Sequence, residues 1–168
     1  MDGSASNCCT LEIRLLPTAG GYLAGTKDLF NGEIVGYAMN ERMTRELVGK
    51  ALFNAVKAKR PSKDLIHHSD RGSQYCSHDY QRLLKQFGMQ ASMSRKGNCY
   101  DNAPMESFFG TLKNELVHHC RYRTRLEAIQ EIREYIEIFY NRQRRQKRLG
   151  YISPVEYERE YYRQLEAA

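Results

Sequence analysis

Asn31-Gly32 stands between two apolar runs, residues 22–30 and 33–39, and Asn-Gly in that setting is the strongest short-range hairpin signal. It commits the first forty residues to antiparallel pairing. Upstream, residues 9–16 alternate: Leu11, Ile13 and Leu15 fall on one side, Glu12 and Arg14 on the other, the pattern of a half-buried strand. Pro17-Thr18-Ala19-Gly20-Gly21 supplies the turn between them. A three-stranded meander is therefore expected.

The period then changes. Leu47, Val48, Ala51, Leu52, Ala55 and Val56 repeat at helical spacing within 44–59, and Pro61 stops that helix. A strand is expected at 64–69. A helix at 77–87 is capped by Ser77, carries Tyr80, Leu83, Leu84 and Phe87, and ends at Gly88; a fifth strand spans 89–94. Two further helices follow, at 102–117 with Asp101 as cap and at 124–142 with Leu126, Ile129, Ile132, Ile136 and Phe139 as its apolar stripe. Ser153-Pro154 opens a last short helix. Strands first, then strands alternating with helices, then helices alone describe an α/β fold with a five-stranded mixed sheet and a helical C-terminal extension. The expected division is a disordered start at 1–8, a core at 9–120 and the extension at 121–168.

With 41% hydrophobic and 27% charged residues, the composition is that of a folded globular chain and not a disordered one. No apolar run reaches the roughly 20 residues of a membrane span, and the start lacks the basic and apolar regions of a secretory signal. The five cysteines lack CxxC spacing, and His67, His68, His118 and His119 lack His-x3-His spacing, so neither a disulfide framework nor a zinc site is expected. A reducing, cytoplasmic setting follows from the same reading. The net charge of +6 favours a polyanionic partner. Much of it lies in one block, Arg142, Arg144, Arg145, Lys147 and Arg148, which reads equally as a phosphate-binding surface or a solvated helix end.

Asp70 closes the fourth strand and Glu106 lies in the first turns of the third helix, with thirty-five residues between them. Taken singly, each has an ordinary explanation, as a turn residue and as an early-helix acid. Lys113 is two turns beyond Glu106 on one helix face, with Gly110 between them, where a backbone could approach closely. Tyr75 and Tyr100 flank these acids in sequence, and packing is favoured over stacking on a base.

The string His68-Ser69-Asp70-Arg71-Gly72-Ser73-Gln74-Tyr75, the string Ser94-Arg95-Lys96-Gly97-Asn98-Cys99-Tyr100-Asp101-Asn102-Ala103, and the Glu106–Lys113 pair strongly resemble the catalytic core of bacterial insertion-sequence transposases of the OrfB type, in the DDE integrase superfamily. Tyr140-Asn141-Arg142-Gln143-Arg144 and Leu149-Gly150-Tyr151-Ile152-Ser153-Pro154 fit as well, and the resemblance runs from about Glu12 to Glu156. It implies an RNase H-like fold and two divalent ions, Mg²⁺ or Mn²⁺, held by three carboxylates. It also implies DNA as substrate, in element ends and target, a homo-oligomer or transposase assembly as partner, and a bacterial cytoplasmic setting.

Two of the implied acids are Asp70 and Glu106. For the first, the family places Asp in a segment like Trp-Val-Thr-Asp-Ile-Thr-Tyr-Ile-Pro-Thr. Anchoring on Pro17-Thr18 puts Glu12 there, with Asp28 as the alternative third acid. Lys113, Arg95, Lys96 and the 142–148 block become the expected DNA contacts. The turn after Glu12 reads about two residues short, so the chain looks like a truncated copy with a rewritten start. Two competing functions follow: a catalytically impaired remnant that keeps the fold and nucleic-acid binding, and an RNase H-type nuclease.

Overall fold

The computed structural model describes residues 8–16, 20–93 and 103–167. Five strands, β1 (Cys8–Leu16), β2 (Gly21–Asp28), β3 (Ile34–Asn40), β4 (Ile66–Ser69) and β5 (Gln90–Met93), form one sheet in the order β3-β2-β1-β4-β5. The meander pairs antiparallel, whereas β1 with β4 and β4 with β5 pair parallel. The parallel pairs need crossovers. These are the helices α1 (Arg45–Lys59) and α2 (His78–Gln86), capped by the hydroxyls of Thr44 and Ser77, which accept from the amides of Leu47 and Tyr80.

The two faces of the sheet bury separate cores. On one, Ala24 and Ala38 pack with Leu47, Val48, Ala51 and Leu52 of α1 and Tyr80 and Leu84 of α2. On the other, Leu23 and Ile34 pack with Met105, Phe108, Phe109 and Leu112 of α3 (Ala103–Leu112) and with Ile132 of α4 (Arg125–Glu134). Adjacent residues Leu23 and Ala24 serve opposite layers, as strand alternation requires. Among the described residues, no helix is long and apolar enough to cross a membrane.

Three local expectations change. The β2–β3 connection is longer than a two-residue Asn-Gly turn. The Asp28 amide donates to the Glu33 carbonyl, the Asp28 carboxylate accepts from the Phe30 amide, and Gly32 takes φ +80. Next, the stretch 124–142 is not one regular α-helix. After Glu134 its turns widen into a π-helical segment, Tyr135–Gln143. The buried pairs Tyr135/Tyr140 and Ile136/Asn141 are five residues apart, a spacing that shares a face only when turns are wider than 3.6 residues. Phe139, expected on the stripe, is consequently 40% exposed, and Leu126 is 65% exposed. The third helix similarly continues past Leu112 as a π segment, Lys113–Val117.

Two tight spots are open to test. A Cβ on Gly36 would lie 2.4 Å from the Ala55 nitrogen and 2.5 Å from the Ala51 carbonyl oxygen, so α1 crosses β3 where no side chain fits. Gly36→Ala should cost at least about 2 kcal/mol in urea unfolding, because backbone on backbone cannot relax as a flexible side chain would. Deep between α2 and β4, His67 bonds the Cys9 thiol at 3.1 Å and the Tyr80 hydroxyl at 2.8 Å. Burial, with His68 nearby, pushes its imidazole down to about 4. The unfolded chain therefore takes up a proton near pH 6.5 that the folded chain refuses, so this contribution is complete above pH 6.5 and is lost as pH falls toward 4. Stability should drop by on the order of 1 kcal/mol per pH unit in that window, and His67→Gln should flatten the slope.

Candidate active site

The sheet places the first two acids. β1 and β4 run parallel with Leu11 level with Ser69. The next residues along the two strands are Glu12 and Asp70, so their backbones are neighbours at the C-terminal end of β4, the edge where α/β sheets bind ligands. The Asp70 carboxylate is half-buried and accepts from the Gly72 amide at 2.7 Å, which holds it at the strand end. A Cβ on Gly72 would fall 2.9 Å from that oxygen and 2.6 Å from Gln74 Oε1, so a side chain there would push on the Asp70 carboxylate.

The third acid comes from the layer above. α3 lies over β1 and β2, with its Met105 methyl 3.3 Å from where a Cβ on Gly25 would stand. Gly25 is the register partner of Glu12. Glu106, next to Met105, is therefore carried to the level of Glu12. It is exposed, and its carboxylate meets Arg14, two residues along β1 from Glu12, at 3.4 Å. A guanidinium thus already occupies cation-attracting space beside Glu106. Among the described residues no three His, Cys, Asp or Glu side chains are gathered to hold a metal; the Glu12 side chain is outside the described residues.

Asp28 lies elsewhere. It is level with Cys9, three residues from the Gly25 level of Glu12, or about 10 Å along the strand. Its carboxylate is buried and closes the hairpin turn through the Phe30 amide at 2.8 Å. Tyr75 is buried against Tyr80 with ring centroids 5.7 Å apart, so packing and not base stacking is its role; Tyr100 lies outside the described residues.

The basic candidates divide. Lys113 keeps the Glu106 side of the third helix. A Cβ on Gly110, between them, would meet nothing within 4 Å, so among the described residues no backbone closes on it and the groove is open. Arg142, Arg145, Lys147 and Arg148 are exposed. Arg144 is not a free cation. It grips both oxygens of Glu115 at 2.7–2.9 Å and lies over the Tyr140 ring. Arg95 and Lys96 lie outside the described residues. The sequence reading missed Lys27, a buried lysine on β2 that donates to the Pro104 carbonyl at 3.0 Å and the Tyr140 hydroxyl at 3.1 Å. An isolated Lys between Thr and Asp at a strand end gives no signal of this. Burial, then Arg148 and Arg144, push its ammonium down to about 8.

Residues 12–99 match the integrase core domain, and residues 106–161 match a second integrase core domain model. The chain belongs to the integrase core domain family. Its relatives are insertion-sequence proteins. It is 66% identical over 146 residues to the 31 kDa protein of insertion element IS600 of Shigella sonnei, covering 87% of this chain and 53% of that protein. It is 47% identical over 150 residues to the transposase of IS904 of Lactococcus lactis, covering 88% and 59%. The chain thus spans about half the length of the curated relatives it matches. In structure it is similar to the catalytic core domain of BIV integrase, with a TM-score of 0.70 at 16% identity over 96% of this chain and 99% of that one. It is also similar to a chain of a simian T-cell lymphotropic virus intasome, with a TM-score of 0.67 at 15% identity over 80% and 49%. The fold is that of the retroviral integrase catalytic cores, an RNase H-like α/β fold.

Within this integrase core the two described ion pairs of the site region should behave differently. Glu115 accepts from Arg144 and from the Tyr135 hydroxyl at 2.6 Å, tying the third helix to the π segment of the fourth. Glu115→Gln should cost about 1–3 kcal/mol in urea unfolding. The Arg14–Glu106 pair is 41% and 46% exposed, and Arg14→Thr should change stability by less than about 1 kcal/mol.

Proposed function

We propose that this chain is the catalytic domain of an insertion-sequence transposase that cleaves and joins DNA strands, with Glu12, Asp70 and Glu106 holding two divalent ions, Mg²⁺ or Mn²⁺. The observation that supports this reading is the β1–β4 register, in which the Glu12 and Asp70 backbones are neighbours, together with the contact of Glu106 with Arg14, two residues along β1 from Glu12. The donor set fits: hard cations take carboxylate oxygens and keep several waters, so a few acids at an open edge suffice. When bound, a pair of such ions activates the attacking oxygen and stabilises the leaving one in an in-line phosphoryl displacement.

The chain's own residues supply the rest. Asp70 is held at its strand end by the Gly72 amide, which orients its carboxylate. Lys113 and the open surface at Gly110 flank Glu106 and suit the phosphate next to the reacting one. Arg95 and Lys96, which precede α3 in sequence, are assigned to DNA backbone, as are Arg142, Arg145, Lys147 and Arg148. Arg144 contributes mainly by tying Glu115. DNA ends and target DNA are the proposed substrates, a homo-oligomer or transposase assembly the working form, and the bacterial cytoplasm its setting.

The impaired-copy reading is favoured by two side chains. Glu12 stands where the resembled family segment has Asp, and its extra methylene moves the carboxylate by on the order of 1 Å, a misplacement worth roughly a hundredfold in rate. Arg14 stands where that segment has Thr, and it already neutralises Glu106. A bound metal would compete with that guanidinium for the Glu106 carboxylate. A nicking and strand-transfer assay in Mn²⁺ tests both. The unmodified chain should show weak nicking, Glu12→Asp with Arg14→Thr should raise it roughly a hundredfold, and Asp70→Asn should abolish it. No gain in the double variant, or activity surviving Asp70→Asn, would remove the three-carboxylate assignment. Cleavage of RNA–DNA hybrid in preference to duplex ends would favour the RNase H-type nuclease.

A further inference from the structure

On the far side of α3 from Glu106 lies a cleft of about 620 Å³, bounded by the β2–β3 turn, by Pro104, Ser107 and Thr111 of α3, and by the segment around Arg145 and Arg148. Its charge is one-sided. Lys27, Arg144, Arg145, Lys147 and Arg148 line it, against a single carboxylate, Asp28, which accepts from the Phe30 amide. Lys27 forms the floor. An ammonium has three protons to donate, yet its hydrogen bonds go to two neutral acceptors, the Pro104 carbonyl and the Tyr140 hydroxyl, and no carboxylate pairs with it among the described residues. A buried cation without a counter-charge is costly, and here two arginines add repulsion. The cost is visible in the depressed Lys27 ammonium. Arg148 closes over the turn: a Cβ on Gly32 would meet its Nη2 at 2.7 Å and the Lys27 side chain at 3.7 Å. Both cations therefore stand beside the same point of the turn.

We propose that this cleft seats one backbone phosphate of DNA at a distance from the reacting phosphate, with Lys27 as its floor and Arg148 and Arg145 as its walls. The proposal rests on the DNA-strand-transfer reading and extends it to a second, built contact. A polymer fits better than a free anion for two reasons. The cleft is far larger than one phosphate, and exposed Arg142 and Lys147 continue its charge outward. The same helix presents Glu106 on one side and Ser107 and Thr111 on the other. A phosphate held in the cleft is thereby coupled to the acids through a rigid rod about 10 Å across, which would register the duplex on the site.

The test is duplex binding by the whole 168-residue chain in EDTA, followed by fluorescence anisotropy over a salt series. Lys27→Met keeps the buried length and removes the charge; Arg148→Gln and Arg145→Gln act at exposed positions and do not depend on how the core tolerates change. Lys27→Met or Arg148→Gln should each weaken binding about tenfold and lower the salt slope by about 0.9, the signature of one lost phosphate contact. Unchanged affinity and slope in Lys27→Met and in Arg148→Gln would overturn the proposal; should Lys27→Met not fold, the two arginine variants decide it. Inorganic phosphate, added at constant ionic strength, separates the sources. Thermal stabilisation of the unmodified chain by phosphate alone, with DNA affinity unmoved in the variants, would make this a free-anion site and overturn the DNA assignment. No divalent ion is present, so this binding does not depend on the metal-holding acids; failure here leaves the catalytic reading standing and failure of nicking leaves this one standing.

Discussion

The parallel pairing of β1 with β4 is the constraint on which the rest of the molecule depends. β1 is the central strand, antiparallel to β2 on one side and parallel to β4 on the other. Its register with β4 decides whether Glu12 stands beside Asp70. Its register with β2 decides which residue lies beneath Met105 of α3. A slip of one residue in either would turn every side chain of β1 to the opposite layer. Two cores, one on each face, hold that register: Leu16 and Cys9 of the same strand are buried in different clusters. The relative placement of the Glu12 and Asp70 backbones and hydrophobic burial are therefore enforced by the same pairing.

α3 joins two chemistries. Its apolar face, Met105, Phe108, Phe109 and Leu112, packs on the sheet and cannot rotate without opening a core. Glu106 thereby meets Arg14 of β1, and Ser107 and Thr111 line the basic cleft. Glu106 and the basic cleft are kept apart by about one helix diameter.

The motif around Tyr140 shows why sequence alone misassigns roles. Read as a charge block, 142–148 is uniform. In the fold its members separate. Tyr140 accepts from Lys27, and Asn141 pairs with both backbone groups of Ile34, capping an edge strand more than a hundred residues away. Arg144 closes on Glu115, while Arg142, Arg145, Lys147 and Arg148 stay exposed. Motif strings carry structural latches and exposed cations in the same few positions, and only burial and partners sort them.

Element order, the antiparallel meander and the caps Ser77 and Ser153 were legible in the sequence, because each rests on periodicity or capping chemistry within a short window; Asp70 and Glu106 stood out by their spacing and by the family strings around them. Glu12 was legible only through the family pattern. Tertiary structure alone decided that Asp28 closes a turn instead of joining the acids, that Arg14 meets Glu106 across 92 positions, and that Lys27 is buried beneath two arginines. It alone decided that the turns after Glu134 widen, since a five-residue spacing of buried side chains matters only once there is a core to face. These are contacts between segments far apart in the chain. Local propensity carries no information about them, and they exist because packing two layers onto one sheet brings those segments together.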